Sequence, residues 1–290
     1  MQVKDTFLGL LVMAIWGFNF VAIRIGLHDM PPILLCAIRF LLSAFPAIFF
    51  FPRPRVAWPL LFGFGLFIFA LQFSFLFVGL KLGMPAGLAS LIGQFQVFFT
   101  MILAIWFFQE KPSWWKWAGA FISFLGILVV AANFHGAANL KGLALSLMAA
   151  LSWSFGNMFS KKISAKSSLG LVVWGSLVAT PFLIALALAV EGPAEISMAL
   201  RNISWSSIFA ICYIVYLSTY VGYSIWGHLL NKYPTATIAP FSLLVPVFGF
   251  LGAFLVLAEE FPLWKILASL LVVLGLAFNL FENKIRKLLK

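Results

Sequence analysis

The chain has 290 residues, of which 63% are hydrophobic and 9% are charged. This composition excludes a water-soluble globular protein, because such proteins carry about 25% charged residues. The formal charge of +11 does not indicate a nucleic-acid partner, since the basic residues collect on one side of the membrane topology predicted below.

Ten apolar segments are each long enough to cross a bilayer, which takes about 20 helical residues. In chain order they cover residues 6–25, 31–51, 57–80, 85–108, 114–132, 140–160, 169–190, 205–230, 235–258 and 263–281. The connections are short, and the longest, residues 191–204, is too short to form a domain with its own core. The sequence therefore predicts an all-α membrane protein whose activity lies within the helical bundle.

The basic residues predict how these spans are oriented. If the N-terminus is cytoplasmic, the cytoplasmic segments carry thirteen Lys and Arg residues and the external segments carry five. This difference follows the positive-inside rule. With an even number of spans, both termini are predicted to face the cytoplasm.

The second half of the chain repeats features of the first. A shift of 150 residues aligns residues 86–114 with residues 236–264 without a gap, and E-x-P-x-W follows a span in both places. The motif WGFN at 16–19 is echoed by WSFGN at 153–157.

Each half contains five predicted spans, and five is an odd number, so the second half must enter the membrane from the opposite side. We therefore predict two inverted repeats, residues 1–134 and 135–290. Inverted repeats are typical of secondary transporters, with the substrate site near the repeat interface. Some channels share this symmetry, so the repeat indicates transport without fixing its type.

Arg39 is the one charged residue deep within a predicted span. Its guanidinium is suited to binding a substrate carboxylate, and a structural tie to a neighbouring helix is the alternative. All eight acidic residues lie at span ends or in loops, which argues against a proton relay through a buried carboxylate. His228, near the end of the eighth span, leaves proton coupling open.

Four tyrosines recur at helical spacing in the eighth span: Tyr213, Tyr216, Tyr220 and Tyr223. On a regular helix they occupy an arc of about 80°. Such a face suits the wall of a cavity for small polar solutes, and ordinary helix packing is the alternative. We assign Tyr216, Tyr220 and Tyr223 to substrate binding.

Three glutamines, Gln72, Gln94 and Gln96, are assigned to substrate contact, with interhelical hydrogen bonding as the alternative. Gln94 and Gln96 point about 200° apart on a regular helix, so at most one is expected to face a given cavity. Pro246, the repeat counterpart of Gln96, is expected to interrupt the ninth span together with Pro240.

Trp16 and Asn19 in the first span match Trp153 and Asn157 in the sixth. Because the halves are inverted, Asn19 falls in the outer half of the membrane and Asn157 in the inner half. We predict that these residues form interhelical contacts near two gates, one on each side. Direct contact with the solute is the alternative.

The chain has no H-E-x-x-H motif, no phosphate-binding loop of the P-loop kind and no Cys/His metal cluster. We therefore expect neither enzymatic activity nor a metal or other cofactor. The expected partners are a small-molecule solute and the lipid bilayer. The sequence does not fix the oligomeric state, and it is compatible with a monomer.

Together these motifs resemble the EamA domain of the drug/metabolite transporter superfamily: WGFNF at 16–20, Arg39-Phe40, a Glu and Pro after the fourth span, and their repetition. Within that family the chain is most similar to the O-acetylserine/cysteine exporters. The segments that carry this similarity are GLHDMPP at 26–32, RFLLSAFPAIFF at 39–50, GMPAGLASL at 83–91, QFQ at 94–96 and APFSLLVPVFG at 239–249.

The resemblance implies a ten-helix exporter of the bacterial inner membrane that moves small metabolites outward, such as O-acetylserine and cysteine. It also implies that Gln94 and Gln96 contribute to specificity. Export of other amino acids or drugs by the same fold, a channel and a lipid-carrier flippase remain the alternatives.

Overall fold

The computed structural model describes residues 1–109, 111–133, 137–163, 168–233 and 238–288. Within these ranges all regular secondary structure is helical. Glu110 of the repeated E-x-P-x-W motif and the predicted boundary at residues 134 and 135 lie outside the described residues.

The first half of the chain forms five long helical elements, numbered here in chain order. They are α1 (Val3–Gly26), α2 (Pro32–Ala44), α3 (Trp58–Lys81), α4 (Ala86–Phe108) and α5 (Trp114–Asn133). The second half continues with α6 (Ala137–Ile163), α7 (Ser168–Val190), the short α8 (Gly192–Arg201), α9 (Trp205–Lys232), α10 (Leu244–Leu257) and α11 (Leu263–Leu288).

By length and composition, eight helical segments of the described chain can cross a membrane: those of α1 to α7 and α9. The predicted ninth and tenth spans correspond to two shorter apolar helical segments, Phe241–Leu257 and Leu263–Phe278. The protein is thus a multi-pass membrane protein. Helix α8 lies in the segment predicted as the longest connection, and Pro193 stands in its first turn, where proline needs no intrahelical hydrogen bond.

Two of the long helices contain π-helical segments, Gly65–Leu71 in α3 and Tyr213–Val221 in α9. In α9 the hydroxyl of Thr219 donates to the carbonyl of Ile214, 2.9 Å away and five residues earlier. A π-helical segment changes the angular spacing of side chains and is often found at functional sites. The tyrosine arc expected for a regular helix is therefore not kept in α9.

Helix α4 is interrupted at Gln94 and Phe95, which separate Ala86–Gly93 from Gln96–Phe108. In α10 the interruption precedes Pro246 and takes the form of a 3₁₀ segment, Ala239–Leu243. Pro246 itself lies in the first turn of Leu244–Leu257, where its missing N–H leaves no ladder bond unmade. The irregularity therefore precedes Pro246, which itself interrupts no helix among the described residues.

The helices cross the bundle between two faces, which we call the near face, where α1 begins at Val3, and the far face, where α1 ends at Gly26. Helix α1 packs on α10 and α9, α3 on α6, α2 on α7, and α5 on α11. Small residues allow several of these approaches: a Cβ on Gly17 would lie 2.8 Å from the backbone nitrogen of Gly249. Gly87 approaches Phe250 in the same way.

Candidate functional site

Four buried polar residues occupy one level of the bundle, each on a different helix of the first half. These residues, which we call the polar layer, are Asn19, Arg39, Gln72 and Gln94, exposed by 7%, 4%, 6% and 7%. At a rise of about 1.5 Å per residue, they lie roughly 10–14 Å from the far-face ends of α1, α2, α3 and α4. The fold thus places four polar side chains that are widely separated in the sequence at a similar depth.

Much of the polar layer has no partner among the described residues. The Oδ1 atom of Asn19 and the Nε and Nη1 atoms of Arg39 are buried without a hydrogen bond. Gln72 and Gln94 add two buried amides at the same depth. Because an unpaired buried polar group destabilises a protein, this concentration indicates a place that a polar ligand or water completes.

Aromatic rings surround the guanidinium of Arg39. Its Cζ atom lies 4.0 Å from the centroid of the Phe73 ring and 5.3 Å from that of Phe40. Tyr223 of α9 is within electrostatic range of the guanidinium. One turn along α2, the Tyr220 hydroxyl donates to the Ser43 carbonyl at 2.7 Å. Rings supply an attractive face for a cation, but they accept none of its directed hydrogen bonds.

The four tyrosines of α9 are divided between the interior and the surface of the bundle. The Tyr213 hydroxyl donates to the Ile15 carbonyl at 2.9 Å. Tyr223 contacts Trp16, with ring centroids 5.5 Å apart. Tyr216 is 51% exposed. Tyr213, Tyr220 and Tyr223 therefore pack against the core of the bundle, whereas Tyr216 lies at its surface.

Asn157 makes an interhelical contact. Its Nδ2 atom donates to Gln96 Oε1 at 2.9 Å and to Thr100 Oγ1 at 3.0 Å, which joins α6 to α4 just beyond the interruption of α4. Gln96 is therefore held by Asn157, while Gln94 belongs to the polar layer. The neighbouring Trp153 is half-buried against the hydrophobic core.

Trp16 is held differently from Trp153. Its Nε1 atom donates to the carbonyl of Ser218 at 3.1 Å, within the π-helical segment of α9, and its ring also contacts Trp226 with centroids 5.4 Å apart. Asn19, one turn further along α1, makes no such interhelical bond through its Oδ1 atom.

Two cavities open at opposite ends of the bundle. The near-face cavity has a volume of about 280 Å³ and reaches the Asn157 contact; its polar lining consists of Thr100, Lys111, Lys116, Asn157 and Lys161. The far-face cavity has a volume of about 250 Å³, and its charged or amide lining consists of Asp29, Lys81, Glu195 and Asn202. The polar layer lines neither cavity and lies between them.

Residues 4–132 and 140–281 each match the EamA-like transporter family. The chain belongs to that family. Among curated proteins, a "Probable amino-acid metabolite efflux pump" of Salmonella typhimurium is 45% identical over 99% of this chain and 98% of its own length. A protein of Escherichia coli with the same name is 44% identical over 100% of this chain and 99% of its own.

More distant relatives extend the likeness across the prokaryotes. An "Uncharacterized transporter" of Archaeoglobus fulgidus is 26% identical over 92% of this chain and 95% of its own length. One crystal structure shares the fold with a TM-score of 0.63 at 19% sequence identity, covering 96% of this chain and 97% of that one.

The structure of this EamA-like transporter also shows features that sequence reasoning missed. Phe73, one of many phenylalanines in the chain, is the residue that stacks on Arg39. From the sequence, the lysines of the near-face cavity indicated only the orientation of the spans. Their convergence on one cavity depends on the packing of α4, α5 and α6. Neither feature has a local sequence signature.

The ends of α1 and α9 are tied together at both faces. At the near face Lys232 Nζ and the Tyr233 hydroxyl donate to Asp5 Oδ2 at 2.8 and 2.6 Å. At the far face the Ser204 and Ser207 hydroxyls both donate to Asp29 Oδ2. These hydrogen bonds join the two helices at both ends.

Proposed function

We propose that the protein exports small zwitterionic amino-acid metabolites, such as O-acetylserine and cysteine, across the bacterial inner membrane by alternating access. The observation that carries the proposal is the full-length similarity to two proteins named as amino-acid metabolite efflux pumps. The polar layer supports it, because a zwitterion needs both hydrogen-bond donors and acceptors within a largely apolar bundle.

An arrangement of ten spans in two inverted repeats, residues 1–134 and 135–290, is part of the proposal. The two separate matches to the family, over residues 4–132 and 140–281, support it. The π-helical segments begin at Gly65 in α3 and at Tyr213 in α9, close to the 150-residue shift of the sequence repeat. Likewise, α3 packs on α6 as α9 packs on α1.

The proposed binding site consists of Arg39, Gln72 and Gln94 with Tyr220 and Tyr223. Asn19 is added to it, because its buried Oδ1 atom lacks a partner among the described residues. Gln96 and Tyr216 are proposed as contacts outside this centre: Gln96 at the inner end of the path, where it meets Asn157, and Tyr216 at its exposed position.

The proposed gates follow from the interhelical contacts. Asn157, with Trp153 beside it, holds α6 against α4 at the near face. Trp16 holds α1 against α9 through the Ser218 carbonyl. Separation of either contact would open a path along its pair of helices, as alternating access requires.

The near face is proposed to be cytoplasmic, in agreement with the positive-inside rule. Lys111, Lys116 and Lys161 line the cavity at that face. Clustered lysines raise the local concentration of oppositely charged groups, so Lys111 and Lys116 would attract the carboxylate of a solute leaving the cytoplasm.

Counterflow in proteoliposomes tests the proposal. Vesicles containing the purified protein are loaded with unlabelled O-acetylserine or cysteine, and uptake of the labelled compound is followed with other amino acids as competitors. A carrier shows saturable uptake that internal solute accelerates. Uptake that neither saturates nor responds to internal solute indicates a channel, and absence of amino-acid uptake at any concentration contradicts the proposal.

A further inference from the structure

The guanidinium of Arg39 is a buried cation without a counter-ion among the described residues. Arg39 is only 4% exposed, and its Nε and Nη1 atoms make no hydrogen bond. The rings of Phe73 and Phe40 are its close neighbours. Burying an unpaired charge costs several kcal/mol even after relaxation. A group held at such a cost is expected to have a partner that is absent from the chain itself.

Two other cations at helix ends behave differently, which makes Arg39 exceptional. Arg24, near the far end of α1, donates to the carbonyl of Leu80, and Lys81 Nζ donates to the carbonyl of Leu27 at 2.6 Å. Both are satisfied by backbone oxygens of the neighbouring helix. Arg39 lies deeper and has no such acceptor in the described chain.

The partner of Arg39 must be a group that accepts hydrogen bonds from the planar guanidinium. A carboxylate meets this requirement, since its two oxygens accept parallel hydrogen bonds from a guanidinium. The other members of the polar layer provide the complementary groups: Asn19 offers an unpaired acceptor at Oδ1, and each of the amides of Gln72 and Gln94 carries both donors and an acceptor.

We infer that Arg39 binds the carboxylate of the transported solute and makes a free carboxylate a requirement for transport. This inference rests on the proposed function, and it adds a selection rule: compounds without the carboxylate are rejected because they leave the buried charge unpaired. An ammonium group belongs on the Asn19 side of the layer, where the unpaired oxygen lies.

Competition against labelled cysteine in the counterflow assay, under reducing conditions, tests the rule. N-acetylcysteine keeps the carboxylate, cysteamine lacks it, and cysteine methyl ester masks it. The wild-type protein should be inhibited by cysteine and N-acetylcysteine, and weakly or not at all by the other two. Loss of charge-assisted hydrogen bonds reduces affinity by about 10- to 100-fold, so Arg39→Gln should weaken inhibition by cysteine to that extent. Arg39→Lys should recover part of it.

Thermal stability separates this role from a structural one. Because Arg39 Nε and Nη1 have no hydrogen-bond partner among the described residues, relief of the buried charge should outweigh loss of the contact with the Phe73 ring. Arg39→Gln should therefore unfold at a temperature no lower than that of the wild type, and added cysteine should no longer raise it. Arg24→Gln is the matched control: it should lower the unfolding temperature, since Leu80 loses a donor, and leave cysteine affinity unchanged.

Several results would overturn the inference while leaving the proposed function intact. They are cysteamine competing as well as cysteine, Arg39→Gln binding cysteine like the wild type, or Arg39→Gln being destabilised more than Arg24→Gln. Replacement of chloride by methanesulfonate should not alter the affinity of the wild-type protein for cysteine. A cysteine affinity that changes with the chloride concentration would instead identify an inorganic anion as the partner of Arg39. If no amino acid is transported, both proposals fail.

Discussion

Asn19 and Asn157 occupy matching places in the two halves, yet their side chains are in different states. Asn157 donates to Gln96 and Thr100, whereas the Oδ1 atom of Asn19 has no partner in the described chain. Gln96 aligns with Pro246 in the repeat, and proline offers no side-chain acceptor. The same residue type thus has two hydrogen-bond acceptors in one half and an unpaired Oδ1 atom in the other.

This difference predicts opposite effects of the two alanine variants. Asn157→Ala should slow exchange and lower stability by about 1 kcal/mol, since interhelical hydrogen bonds in membranes contribute about 0.6 kcal/mol on average. Asn19→Ala should instead weaken substrate affinity with little loss of stability. Counterflow rates as a function of solute concentration, together with thermal unfolding, measure both effects. The prediction fails if the variants change the same parameter.

Asp29 connects α1 to α9 at the far face outside the membrane-spanning helices. Hydrogen bonds from Ser204 and then His28 lower the pKa of its carboxyl from 3.8 to about 2. The folded state therefore prefers the charged form. The resulting stabilisation is fully present above the unfolded pKa and is lost as the pH falls from about 4 towards about 2.

Asp29→Asn should consequently unfold at a lower temperature than the wild type near neutral pH, and the difference should shrink below about pH 4. Thermal unfolding of the detergent-solubilised protein across this range measures it. Glu195→Gln, which changes an exposed acid at the same face, serves as the control and should show no such pH-dependent difference. A gap that stays constant down to about pH 2.5 would contradict the assignment.

Two helices of the bundle are capped at their N-termini by carboxylates that are distant in the sequence. Glu191 Oε1 and Oε2 accept from the backbone nitrogens of Ile33 and Leu34 at 2.6 and 2.9 Å, at the start of α2. Glu259 Oε1 accepts from the Ala86 nitrogen at 2.7 Å, at the start of α4. Helix starts carry unsatisfied N–H groups and a partial positive charge. Both helices that begin this way carry members of the polar layer.

Glu191→Ala should destabilise the protein by about 0.5–2 kcal/mol, the usual effect of removing an N-terminal cap. Chemical or thermal unfolding measures the change. Glu195→Ala removes an exposed acid one turn further on and should leave stability unchanged. Equal stability of the two variants would show that the Glu191 contacts contribute nothing.

Some features of the helices could be predicted from the sequence and others could not. The positions of the apolar segments followed from hydropathy, because a bilayer demands about 20 apolar residues per crossing. Arg39 was identifiable because a charge in such a segment is rare. The interruption at Gln94 and Phe95 and the π-helical segments were not predicted, because fixed 100° spacing assumes an unbroken α-helix. Those irregularities decide that Gln94 joins the polar layer and that Tyr216 does not.

For the molecule as a whole, α10 and α11 decide whether there are ten crossings. Their apolar segments, Phe241–Leu257 and Leu263–Phe278, are shorter than the other spans. If both cross, the loop between them faces the periplasm while the termini face the cytoplasm. If neither helix crosses, this loop stays on the cytoplasmic side.

Cysteine labelling distinguishes these arrangements. In a background with Cys36→Ala and Cys212→Ala, Glu260→Cys should react with a membrane-impermeant maleimide added outside intact cells. Lys111→Cys, placed at the near face, should react only after permeabilisation. Protection of Glu260→Cys in intact cells, with labelling after permeabilisation, would exclude the ten-span arrangement.

The depth of Arg39 has an electrical consequence. About 10 Å separates it from the far-face end of α2, so its charge lies within the field of an energised membrane. A zwitterion adds no net charge to the carrier, and the loaded and empty forms therefore differ little in their response to voltage. Moving one full charge across 100 mV changes the free energy by about 2.3 kcal/mol. A voltage dependence of zwitterion exchange would then report displacement of charges other than the solute, with Arg39 among them.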